Sequence, residues 1–111
     1  MSVKIEKVKP GDGQSKPTVG KWVLVHFDGF LDDAATTRFD SSRTRGEPLK
    51  FELGKGEILK CWDDAIAAMS KGEFIKMTCP PEAAYGSKGK PGQIPPNSTL
   101  VFEIELIDFE P

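Results

Sequence analysis

The sequence predicts an α+β fold in which an antiparallel sheet wraps its apolar face around a single helix. Three observations lead there: segments of alternating apolar period recur along the chain, one stretch alone carries the helical period, and turn-forming Gly and Pro residues separate the segments. With 111 residues, 38% hydrophobic and 29% charged, the chain has the size of one ordinary domain with one core, so residues 1–111 are read as a single domain.

The elements follow in order. SVKIEKV sets Val3 and Ile5 in alternation, and PGDGQSKPTVG is dense turn chemistry. KWVLVHFDGF then places Val23, Val25 and Phe27 on one face of a strand and Trp22, Leu24 and His26 on the other. LKFEL is a further short strand. EILKCWDDAIAAMSKG spaces Leu59, Trp62, Ile66 and Met69 along one face of a helix, with Gly72 as its C-terminal stop. In EFIKMTC, Ile75, Met77 and Cys79 alternate with polar neighbours. The last strand sets Leu100, Phe102, Ile104 and Leu106 against Val101, Glu103, Glu105 and Ile107. AYGSKGKPGQIPPN, just before that strand, has the composition of a tether, yet it joins no second domain and so calls for a local role.

Charge and cysteine usage exclude several function classes. The net charge of -2 comes from 15 basic and 17 acidic residues with no block of like sign, whereas nucleic-acid binding needs a concentrated basic face. No apolar run approaches the ~20 residues of a membrane span, and MSVKIEKVKP lacks the apolar core of a signal peptide. The expectation is a soluble, cytoplasmic protein with neither nucleic acid nor membrane as partner. Cys61, Cys79 and the lone His26 fit no metal-ligand spacing and argue against a disulfide framework.

Conventional catalytic groups are equally scarce. Ser41 and Ser42 have no histidine nearby in sequence, His26 sits mid-strand and reads as structural, and neither cysteine lies in an electropositive motif. GKGE and GSKGKPG match no phosphate-cradling loop and read as turns. Aromatic residues, by contrast, stand beside turn signals at Phe27, Phe39, Phe51, Trp62, Tyr85 and Phe102. Core packing accounts for most of them; at Trp62, on the inner helix face, packing and ligand contact fit the pattern equally.

The order of the motifs adds to this reading. FDSSRTRGEPLKFELGKGEILKCWDDAIAAMSKGE followed by AAYGSKGKPGQIPPNSTLVFEIEL resembles the FKBP family, the macrolide-binding peptidyl-prolyl cis-trans isomerases. The likeness runs from VKPGDG through PTVGKWVLVHFDGFL to the terminal strand. It implies a five- to six-stranded antiparallel sheet curled around one short helix, with an apolar pocket between them and no cofactor or metal. Trp62 is then the pocket floor, Phe39 and Phe102 are walls, and Phe27, Leu49, Ile58 and Ile94 complete the lining. Asp40 faces the imide carbonyl and binds Arg45. The N–H of Ile58 and the hydroxyl of Tyr85 bond ligand carbonyls, and the carbonyl of Glu57 touches macrolides. Leu59, Ala84 and Lys90 belong to the same implied binding set.

The Gly/Pro-rich stretch then resembles the family's flap, arching over the pocket to deliver Tyr85 and Ile94. The implied partners are proline-containing peptides and proteins, tacrolimus and rapamycin, and a phosphatase or kinase captured by the drug complex; the implied state is a monomer. The chain departs from the family pattern at Phe27, where many members carry tyrosine, and at Leu49, where phenylalanine is common. It departs also at Lys90 and Gln93 on the flap, and in DDAATT before Arg38, about two residues longer than in compact members. The rival reading is a docking domain of the same fold that holds proline segments without turning them over.

Overall fold

The computed structural model describes residues 3–31 and 37–111; DDAATT, apart from Thr37, lies outside the described residues. In chain order the elements are β1 (Lys4–Lys9), β2 (Trp22–Phe30), β3 (Arg38–Ser41), β4 (Leu49–Glu52), α1 (Lys60–Ala67), β5 (Phe74–Cys79), a 3-10 turn (Pro81–Ala83) and β6 (Leu100–Phe109). The strands form a six-stranded antiparallel sheet in the order β1-β5-β6-β2-β3, with β4 also paired to β2. One edge of β2 runs along β6, while the other is shared: Trp22 to Val25 face β4, and Asp28 to Phe30 face β3.

The alternating period fixes which face is buried. Val23, Val25 and Phe27 of β2, Ile75, Met77 and Cys79 of β5, and Leu100, Phe102, Ile104 and Leu106 of β6 all enter one core cluster. Against them α1 packs Trp62 and Ile66, with Leu59 and Met69 buried just beyond its ends. The helix is shorter than its apolar period suggests. It stops at Ala67 because Met69 N–H bonds to Ile66 C=O and the Glu73 carboxylate captures the Ser70 N–H, which turns the chain before Gly72. β1 pairs only with β5 and lies past the cover of the helix, so Ile5 stays 52% exposed despite its apolar alternation.

Candidate active site

Between α1, β3, the loop before α1 and the flap lies a cavity of about 230 Å3. Its base is aromatic. Trp62 is 1% exposed, and its indole meets Phe27 at 4.9 Å and 75° and Phe102 at 5.3 Å and 87°, both edge to face. Phe51 packs on the same indole from the core at 5.9 Å, and Phe39 stands edge-on to Phe102 at 5.9 Å. These geometries are the favoured ones for ring quadrupoles and fix the rings against one another. The Trp62 N–H is buried with no hydrogen-bond acceptor, so the indole is held by packing alone.

Why the strands deliver these rings here follows from Gly29. It lies opposite Asp40 on β3 and opposite Phe102 on β6. A methyl group at Gly29 would stand 2.7 Å from Phe39 Cζ and 3.1 Å from Phe102 Cε1, so the missing side chain is the space the two walls occupy. Sequence reasoning passed over Gly29; a glycine inside an otherwise apolar-periodic strand was the signal available.

The polar rim is built from three segments. On β3 and its turn, the Arg45 guanidinium and the Ser41 N–H both bond Asp40 Oδ1, the latter at 2.8 Å, while Arg45 also lies 5.6 Å from the Phe27 ring centre. Ser42 anchors this turn to β2: its Oγ accepts the Phe27 N–H at 2.7 Å and lies 2.9 Å from His26 Nδ1. His26 is thereby a partner of the turn, on the sheet face away from the cavity. Before α1, the Asp63 carboxylate accepts the N–H groups of Gly54 and Gly56 at 2.8 and 3.1 Å and fixes the loop leading to Glu57, Ile58 and Leu59. The Ile58 and Leu59 N–H groups have no intramolecular acceptor among the described residues. They are open donors at the cavity's edge.

The flap supplies Tyr85 and Lys90. Burial, then the negative charge of Asp40, then Cys61 raise the Tyr85 hydroxyl above the usual tyrosine range, so it is a neutral donor at physiological pH. Nearby, the Cys61 and Cys79 thiols are free, buried and in contact; that contact and burial push the Cys79 thiol up. The Cys79 thiol is therefore no nucleophile at neutral pH.

Of the residues the sequence singled out, Phe27, Phe39, Asp40, Arg45, Leu49 and Glu57 line the cavity, as do Ile58, Leu59, Trp62, Tyr85, Lys90 and Phe102. Ala84 and Ile94 do not. Ala84 packs half-buried against the core. Ile94 is 4% exposed and belongs to the core cluster, because the flap folds back on itself there and turns the side chain inward beneath the loop. No grouping of three or more metal-capable side chains occurs among the described residues.

The family of FKBP-type peptidyl-prolyl cis-trans isomerases matches residues 13–107. The chain belongs to this family. It is 50% identical over 110 residues to peptidyl-prolyl cis-trans isomerase Fkbp12 of Drosophila melanogaster, covering 99% of this chain and 100% of the relative. The FKBP1A isomerase of Xenopus laevis is 44% identical over the same shares of both chains. The FKBP4 isomerase of Homo sapiens is 52% identical over 102 residues, which are 92% of this chain but 22% of that longer protein. The activity is therefore prolyl isomerisation, and the FKBP-type chain is of the small Fkbp12 kind.

Proposed function

We propose that the cavity over Trp62 is where the isomerase turns the X-Pro bond, and that the residues lining it do so without proton transfer. The observation that carries this is an aromatic floor and walls closed by donors and one tethered carboxylate. Rotation of a peptide bond meets a barrier of about 18–20 kcal/mol because the twist destroys amide resonance. A twisted amide has a less polar carbonyl and an apolar cavity favours it. The proline ring rests on Trp62, the Ile58 N–H and Tyr85 hydroxyl hold the flanking carbonyls, and Asp40 faces the carbonyl carbon as conjugation is lost. Each tenfold acceleration needs about 1.4 kcal/mol of preference for the twisted form, within reach of one buried ring and two hydrogen bonds.

The same groups suit macrolides such as tacrolimus and rapamycin, whose six-membered ring and adjacent dicarbonyl imitate the twisted amide. Residues 1–111 act as one domain on this reading, supported by a single sheet and a continuous core cluster. Isomerisation of Leu-Pro peptides, measured with and without a macrolide, tests it. Drug-sensitive catalysis supports the site; acceleration that saturating macrolide leaves untouched moves catalysis away from this cavity.

A further inference from the structure

The flap carries a charge that prolyl isomerisation does not use. From Ala83 to Phe102 the chain has no acidic residue, but it has Lys88 and Lys90. Lys90 is the one that lines the cavity, with its ammonium 5.9 Å from the Tyr85 ring centre. Its backbone is pinned. Lys90 N–H donates to Ile94 C=O at 2.8 Å, while Lys90 C=O accepts from Ile94 N–H at 2.8 Å and Gln93 N–H at 3.0 Å. Since Ile94 is sunk in the core, this small ring ties Lys90 to the body of the protein and holds its side chain at the mouth of the site.

The other charges at the cavity are engaged. Arg45 is paired with Asp40, and Glu57 Oε1 accepts the Glu52 N–H at 3.3 Å. Among the described residues no carboxylate pairs with Lys90. An ammonium at the rim with no counter-ion among the described residues attracts an acidic group on whatever chain occupies the site.

Resting on the assignment of this cavity as the site of turnover, we infer that Lys90 is a specificity-determining residue: it favours substrates with an acidic side chain one or two residues to either side of the isomerising X-Pro pair. Lys88 does not share the role, because it lines a separate depression with the flap prolines. Lys90 is exposed, so the pair it forms is a solvent-screened one, and its effect is about two- to five-fold in kcat/KM at low salt. The preference adds to that of the apolar walls for the residue before proline.

The test uses blocked hexapeptides with a central Leu-Pro in which Glu, Gln or Lys stands one or two residues to either side. Isomerisation is followed by NMR exchange, which needs no coupling protease. In at least one register the Glu peptide should outrun its Gln counterpart by about two- to five-fold and the Lys peptide should lag. The Glu-to-Gln ratio should fall to about one in Lys90→Gln and in about 1 M salt, invert in Lys90→Glu, and persist in Lys88→Gln. Turnover of the Gln peptides with a ratio of one in every register overturns the inference and leaves the site standing. So does a ratio that survives Lys90→Gln or disappears in Lys88→Gln. If no peptide is accelerated, the assignment of the cavity falls, and the role of Lys90 falls with it.

Discussion

On the proposed mode of turnover, Tyr85 joins ionisation to binding at a single atom. Its hydroxyl pKa is raised, so the folded protein holds this proton at a pH where the unfolded chain has released it. The resulting stabilisation is full below the unfolded value of about 10 and is lost as pH rises through the higher folded value. Tyr85 is the only tyrosine, so phenolate absorbance reports it directly. The titration midpoint should fall on adding denaturant; a midpoint unchanged by unfolding would place the hydroxyl in water. Tyr85→Phe should lower kcat/KM about two- to tenfold, the worth of one ordinary hydrogen bond.

Asp40 and Phe27 make a second contrast at this scale. Asp40→Val leaves the Arg45 guanidinium beside the cavity without its partner, while Phe27→Tyr adds one hydroxyl near a carboxylate and a guanidinium that can bond it. Calorimetric titration with a macrolide should show the larger loss of affinity for Asp40→Val. The reverse order would mean that these two side chains are misassigned.

At the scale of elements, the site depends on how closely β3 and β6 approach β2, and Gly29 sets that approach. Gly29→Ala pushes Phe39 and Phe102 apart or out of their rotamers, an overpacking cost of about 1–3 kcal/mol. Denaturant melts should show that loss of stability, and activity per folded molecule should fall as well. Full activity in the folded fraction would mean the walls can shift without consequence. Reading elements from sequence succeeded where a period had length to declare itself, as in β2, β5, β6 and the buried face of α1. It missed β3, whose four residues Arg38–Ser41 are too few to show alternation and whose pairing comes from β2 rather than from its own pattern. Ile94, which the flap's likeness to a family places at the pocket, is buried in the core cluster that also holds Trp62 and Phe102, beside a backbone ring with Lys90 that no local propensity announces. At Gly89 a φ of +65 and the 2.3 Å that a Cβ would leave to Ile94 C=O both require glycine.

Across the whole molecule the sheet separates two tryptophans that sequence alone presents as equals. Trp62 faces inward and floors the cavity, whereas Trp22 lies on the outer side of β2 with the Lys50 ammonium 4.7 Å from its ring centre. A ligand that binds only the folded chain stabilises it by about 2.7 kcal/mol at a hundredfold excess over its dissociation constant. For a domain of this size that corresponds to a rise in melting temperature of roughly 10 °C. Trp62→Leu lowers the melting temperature by itself, because a buried ring is lost from the core. The quantity to compare is therefore the further rise that tacrolimus produces in each variant. That rise should shrink sharply in Trp62→Leu, where the flat aromatic floor is gone, and should stay at the wild-type value in Trp22→Phe, where only the outer surface changes. A rise that survives Trp62→Leu and vanishes in Trp22→Phe would put ligand binding on the outer face of the sheet, and with it the isomerase site.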